Sequence, residues 1–317
     1  MALNQITLAA PRGFCAGVAY AIEVVNLALK IHGAPLYVRH AIVHNEYVVK
    51  DFERQGVIFI EDVNEIPAGA TVVFSAHGVS PQVRTDSAAR GLNVIDATCP
   101  LVTKVHNEAK RFASKDYLMV YVGHRGHVEA EGTMGEAPDR MILVETPSEA
   151  EALVLPEHER LALVTQTTLS VDEVEAITEV LERRFPHMER PTKEDICYAT
   201  TNRQGAVKEL ARQCDFVIVV GSNQSSNSNR LAEVARDYGA DSVLLMSPDE
   251  LERSVVEQYH HIGITSGAST PDQLVEDVIG RLLEWSPGTP VSILETVKED
   301  VEFMPSRNLI ALAMAKG

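Results

Sequence analysis

The sequence predicts an α/β protein made of three similar units with mainly parallel sheets. Short β-branched runs alternate with amphipathic stretches of helical length along the whole chain, the pattern of layered α/β folds. A cysteine recurs at three junctions between such a run and a helix, and a polar loop follows each cysteine at a nearly constant distance.

In chain order, "QITLAA" reads as a strand leading to Cys15 and a helix on which Val18, Ile22, Val25 and Leu29 share one face. The strands "LYVRHAIV", "VIFI" and "TVVFSA" follow, and "NVIDAT" then leads to Cys99. Pro100 suits a first helical position, and Leu101, Val105, Ala109 and Phe112 form the apolar face of that helix. Next come the strands "YLMVYVG", "MILVE" and "LALVTQ" and the helix "SVDEVEAITEVLERRF". Cys197 follows "KEDI" and opens a helix carrying Val207, Leu210 and Ala211. The strand "DFVIVVG", a helix starting at "LAEVAR", and the strands "SVLLM" and "HIGITS" complete the series. The succession of strand, cysteine and helix is thus expected three times.

Cys15 lies 29 residues before His44, Cys99 28 before His127, and Cys197 28 before Ser225. A further polar strand end follows in each segment, at His77, Thr167 and Ser269. This reads as a diverged triplication with units at 1–97, 98–195 and 196–281, and a tail at 282–317 expected to pack back on the body. Ligands of open parallel sheets gather at the carboxyl ends of strands, so these loops are expected to face one central cavity.

Composition narrows the function. At 317 residues, 45% hydrophobic and 23% charged, the chain is that of a soluble globular protein with a substantial core. Aromatics at 5% and a net charge of -17 exclude a nucleic-acid-binding surface from the expectations. The segment "MALNQITLAAPRGFCAG" has no basic stretch before a long apolar one, so no signal peptide is expected. No apolar run is long enough to span a bilayer, so the expected partners include no membrane and the expected location is cytoplasmic. In that compartment four cysteines point to metal, redox or packing roles before disulfides. There is no G-x-G and no P-loop, hence no nucleotide fingerprint.

Cys214 completes the apolar stripe of Val207, Leu210 and Ala211 and packs as a small hydrophobe. Cys15, Cys99 and Cys197 stand at helix starts, where the N-terminal field favours a thiolate. Structural zinc normally takes closely spaced cysteine pairs, which are absent; a site of three cysteines and a histidine stays open. An iron–sulfur cluster fits three thiolates from separate units better, and on a four-iron cluster one iron would lack a cysteine. Such an iron is a Lewis acid beside an electron reservoir.

His44, His77, His124 and His127 fall at predicted strand ends and suit phosphate oxygens or a metal. The remaining histidines, His32, His106, His158, His187, His260 and His261, read as ordinary structural or surface residues. Glu129 and Glu131 would point the same way on an extended segment, and one enclosed there would carry a proton. Thr167 and Thr168 suit a helix cap or a proton relay. In "GSNQSSNSNR", Ser225, Ser226 and Asn227 offer neutral donors ahead of a helix N-terminus.

The motifs "PRGFCAGV", "VRHAIVHN", "FSAHGVS", "DATCPLVTKVH", "GHRGHVEAEGTMG", "TQTTLS", "DICYATTNRQ", "GSNQSSNSNR" and "ITSGAS" resemble, in this order, the 4-hydroxy-3-methylbut-2-enyl diphosphate reductase family, also called IspH or LytB. The resemblance covers about residues 5–280, and the tail only loosely. It implies a cloverleaf of three units around a central [4Fe–4S] cluster held by Cys15, Cys99 and Cys197, one iron not being ligated by cysteine. It implies a substrate diphosphate held by His44, His77, His127, Ser225, Ser226, Asn227 and Ser269, with Thr168 and Thr200 from the same motifs. Glu129 matches the proton-delivering acid, helped by His127 and Thr167. The implied reaction removes an allylic hydroxyl with two electrons and two protons, the electrons coming from a ferredoxin or flavodoxin. Two other classes compete with it: a non-redox iron–sulfur hydro-lyase, and a non-enzymatic cluster or zinc protein, which would have no need of Glu129.

Overall fold

The computed structural model describes residues 3–156 and 160–316; His158 lies outside the described residues. The chain opens with β1 (Gln5–Ala10), α1 (Ala16–His32), β2 (Leu36–Arg39), α2 (Glu46–Arg54), β3 (Val57–Ile60), β4 (Thr71–Phe74), α3 (Pro81–Ala89) and β5 (Asn93–Asp96). It continues through α4 (Pro100–Ala113), β6 (Tyr117–Val122), α5 (Val128–Met134), β7 (Met141–Val144), α6 (Pro147–Ala152), β8 (Arg160–Thr165) and α7 (Val171–Arg184). The last part holds α8 (Tyr198–Ala211), β9 (Phe216–Val220), α9 (Ser226–Asp237), β10 (Asp241–Leu245), α10 (Arg253–Val256), β11 (His261–Ser266), α11 (Asp272–Trp285), β12 (Val291–Glu295) and α12 (Arg307–Ala315). Among the described residues no helix is long and apolar enough to cross a membrane.

These elements form two compact units, one of residues 1–16, 44–48 and 198–301, the other of 17–43, 49–197 and 302–317. The first holds one parallel sheet of order β10-β9-β11-β1-β12. The second holds two, β3-β2-β4-β5 and β7-β6-β8. All of their pairings are parallel, as the alternation of strand and helix predicts. The central strands β6 and β9 are buried along their whole length, which explains their unbroken apolar sequences. Each large side chain so buried contributes about 1.5–3 kcal/mol.

The sheets share one plan. In β3-β2-β4-β5 the strands stand in the order second, first, third, fourth. The order β7-β6-β8 repeats this, with a single bridge between Ala162 and Glu189 where a fourth strand would run. The order β10-β9-β11-β1 repeats it again, its fourth place taken by the N-terminal strand. The sheets therefore cut the chain differently from the cysteine spacing: β1, grouped by sequence with the first segment, pairs in the sheet of the third. β12, from the tail, extends that sheet beyond β1.

Local departures from the expected elements have physical causes. "LYVRHAIV" is a strand only to Arg39, because His40 takes φ +61° and turns the chain. The buried face of α1 is Gly17, Ala21, Val24, Val25, Ala28 and Ile31, rotated from the predicted stripe toward the smaller residues. No strand leads into Cys197; the charged run before it, with Pro191, forms bends instead. Glu129 and Glu131 lie on α5 and not on an extended segment, so Glu129 is buried while Glu131 is exposed. Helix α9 starts at Ser226, earlier than "LAEVAR" suggests, because Ser225 caps it by accepting from the Ser228 N–H at 3.2 Å.

Candidate functional site

In a sheet of this order a crevice opens at the carboxyl ends of the first and third strands, where the chain departs in opposite directions. Three equivalent backbone bonds close the first-strand loops: His40 N–H to Ile60 O (2.7 Å), Gly123 N–H to Val144 O (3.2 Å) and Gly221 N–H to Leu245 O (2.8 Å). Four residues beyond each donor stand His44, His127 and Ser225, so the spacing read from the sequence marks one structural position. The cysteine amides mark the other loops. Cys99 donates to Ala76 O (3.0 Å), Cys197 to Thr167 O (3.0 Å) and Cys15 to Ala268 O (3.1 Å). The next residues, His77, Thr168 and Ser269, are the structural counterparts. The sequence paired Thr167 with His77 and Ser269; the shift of one residue leaves Thr167 beside Cys197 by its carbonyl.

In the second unit, His77 meets the rings of both His40 (centroids 5.6 Å apart) and His127 (6.3 Å), each nearly edge-on. His127 caps α5: its Nδ1 accepts from the Glu129 N–H at 3.1 Å. An accepting Nδ1 requires the neutral tautomer with its hydrogen on Nε2. Burial, then His124 and His40, pushes the His127 pKa down to about 4, in line with a neutral ring. Glu129 is 2% exposed. Its Oε1 accepts from the Thr167 N–H (2.7 Å) and its Oε2 from the Thr167 hydroxyl (3.1 Å). Burial raises its pKa to about 7 against those two bonds, with the Asp195 charge adding to the rise. A carboxyl poised there exchanges a proton at neutral pH. Thr167 caps no helix; Ser170 caps α7. Gln166, fully buried, ties the two loops of this sheet by accepting from the His124 N–H (3.0 Å) and donating to the Thr168 hydroxyl (3.0 Å).

In the first unit, Asn227 Oδ1 accepts from the Ala268 N–H at 3.0 Å, while its buried Nδ2 has no protein partner among the described residues. Ser225 Oγ, accepting from Ser228 N–H, keeps its own hydrogen to donate. The Ser269 hydroxyl donates to the His44 carbonyl at 3.0 Å and so holds that loop. Ser226 opens α9, and Thr200 is buried in the first turn of α8. Ser228 fills the space between the loops: a Cβ on Gly221 or Gly267 would come within 2.3 or 2.0 Å of its Oγ. Those two glycines leave no room for a side chain.

The cysteines differ in burial. None is in a disulfide; Cys15, Cys99 and Cys197 are half-buried and Cys214 is buried. The first three directly precede α1, α4 and α8, and none of these helices carries an acidic residue in its first turn. In a chain of charge -17 that leaves three helix N-termini with no acidic side chain in the first turn, each following a thiol, a donor chemistry that fits an anionic thiolate-held cluster. Burial pushes the Cys214 thiol up to about 12, which suits packing and not ligation.

Sequence reasoning missed His40, Gln166, Ser228 and Asp195. His40 stands in "VRHAIVHN", four residues before His44, where the apolar run predicts strand and the chain turns instead. Gln166, Ser228 and Asp195 act through contacts that no spacing announces.

A family model described as LytB protein matches residues 6–283. The chain is 52% identical over 305 residues to 4-hydroxy-3-methylbut-2-enyl diphosphate reductase 2 of Burkholderia mallei, covering 96% of this chain and 93% of that one. It is 52% identical over 307 residues to the 4-hydroxy-3-methylbut-2-enyl diphosphate reductase of Neisseria meningitidis serogroup C, covering 96% and 95%. The solved structure of the E-1-hydroxy-2-methyl-but-2-enyl-4-diphosphate reductase from Plasmodium falciparum aligns with a TM-score of 0.96 at 38% identity, covering 99% of each chain.

Proposed function

The chain belongs to the LytB family, and on that premise we propose that it reductively removes the allylic hydroxyl of 4-hydroxy-3-methylbut-2-enyl diphosphate. The products are isopentenyl and dimethylallyl diphosphates, and the step is the last of the methylerythritol phosphate route to isoprenoid precursors. Enzymes of this family carry an iron–sulfur cluster. Here Cys15, Cys99 and Cys197 would hold a [4Fe–4S] cluster in which one iron is not ligated by cysteine. When bound, that group supplies electrons one at a time and a Lewis-acidic metal.

The protein's own residues supply the rest. Loss of the hydroxyl as water and gain of a hydrogen on the carbon skeleton consume two electrons and two protons. Glu129, with a pKa near 7, delivers a proton, and Thr167 orients both of its oxygens. This buried carboxyl carries the reading, since a binding or sensing protein has no use for it. The diphosphate is held by His44, His77 and His127, by the hydroxyls of Ser225, Ser226 and Ser269, and by the Nδ2 of Asn227, which has no protein partner among the described residues. Thr168 and Thr200 line the same motifs. The electrons come from an external ferredoxin or flavodoxin.

Anaerobic assay with reduced viologen dye tests the activity: two electrons per molecule of product are expected, and dehydration without dye oxidation would make the chain a hydro-lyase. Asn227→Ala is expected to raise KM by roughly 10–100-fold with kcat nearly kept, the scale of one hydrogen bond to a charged group. An unchanged KM would remove Asn227 from the diphosphate site.

A further inference from the structure

We infer that Lys104 and Asp195 form a clamp that positions Cys197, standing in for the strand that leads to each of the other two cluster cysteines. The inference rests on the proposed role of those cysteines as cluster ligands. β1 ends at Ala10, five residues before Cys15, and β5 ends at Asp96, three before Cys99. Before Cys197 the last sheet pairing is at Glu189, eight residues away, where Glu189 and β8 exchange bonds of 2.8 Å. The intervening bends would leave the thiol on a slack segment.

Lys104 takes up that slack. It lies in the second turn of α4, whose N-cap is Cys99. An ammonium has three hydrogens, and here they face Lys193 O (2.6 Å), Glu194 O (2.8 Å) and Asp195 Oδ1 (2.9 Å). The fully buried Asp195 side chain passes the constraint on, its Oδ2 accepting from the Thr165 N–H at the end of β8 (3.0 Å). Two residues further along, the Cys197 N–H meets the Thr167 carbonyl. One lysine thus ties the backbone ahead of Cys197 to the helix that starts at Cys99, and its partner ties it to the strand that ends beside Thr167. Desolvation offsets most of the attraction within such a pair, so its benefit is register and not net stability.

The test uses the full-length chain with Lys104→Met, Asp195→Asn and, as a control, Glu108→Gln, which touches the same ammonium only at 3.7 Å. In the metal-free chain each cysteine is alkylated with iodoacetamide and its rate read by peptide mass spectrometry. Both clamp variants are expected to change the Cys197 rate several-fold and leave Cys15 and Cys214 within about twofold; the control changes none. In reconstituted protein, iron loss to a chelator is expected to quicken by about tenfold, the effect of losing a group that orients a metal ligand. An unchanged Cys197 rate in a folded variant overturns the inference, as does a parallel rise at all four cysteines. If both clamp variants fail to fold, the pair supports the whole unit and the local role is likewise overturned. Because alkylation needs no metal, this result stands apart from whether the cysteines bind a cluster.

Discussion

Glu129→Gln is expected to lower kcat by about 10²–10⁴-fold, the contribution of a positioned general acid, while KM for the diphosphate stays near the wild-type value. The amide keeps the size of the carboxyl and can still accept from the Thr167 N–H, so the local fold survives while the transferable proton is lost. The pH profile adds a separate signature. With a pKa of about 7, Glu129 is progressively unprotonated above neutrality, and wild-type kcat should fall there. His127, depressed to about 4, stays neutral throughout that range and adds no limb of its own. The limb near pH 7 should vanish in the glutamine variant. Normal turnover by that variant would end the proton-donor assignment.

The same group links stability to pH. The folded carboxyl holds its proton to about 7, whereas its ordinary value is 4.5. Between those values the native state binds the proton more tightly than the unfolded chain does. The contribution is therefore full below about 4.5 and is lost as pH rises through about 7, a change on the order of a few kcal/mol. Thermal melts of the metal-free chain should show the wild type losing ground to Glu129→Gln across that interval. A retained difference of constant size would mean that burial does not raise this carboxyl.

Much of this was legible in the sequence because the repeat is written twice, once in apolar runs and once in polar loops. The runs predict the strands, since parallel strands buried on both faces leave no alternation to obscure them. The near-equal spacing from cysteine to loop predicts that His44, His127 and Ser225 are counterparts, and the backbone bonds agree. What stayed hidden depends on contacts between distant segments. The one-residue shift from Thr167 to Thr168 is set by where the cysteine amide bonds. The place of β1 in a sheet with β9 and β11 cannot be read from periodicity, because a circularly shifted repeat looks the same along the chain. Glu129 and Glu131 were equal in sequence, and only the helix that carries them buries one and exposes the other.

Cys15→Ser, Cys99→Ser and Cys197→Ser are each expected to abolish cluster assembly and turnover, whereas Cys214→Ser should retain both. A serine hydroxyl is a far weaker ligand than a thiolate, and the proposed set of three cysteines would have no spare member to replace a lost one. Cys214 cannot act as the reserve. It lies in the apolar cluster with Val207, Leu210 and Val217, its thiol pushed up to about 12, and a Cβ on Gly263 would come within 3.1 Å of its sulfur. The repeat itself argues for three and not four: one fourth-strand segment per sheet leads to one helix N-terminus, and each holds its cysteine by the same amide-to-carbonyl bond. Iron and sulfide per chain, measured anaerobically with EPR, decide the matter. Loss of iron in Cys214→Ser, or retention in any of the other three, would break the link between the threefold backbone plan and the metal. One zinc and no sulfide in the wild type would remove the redox chemistry altogether.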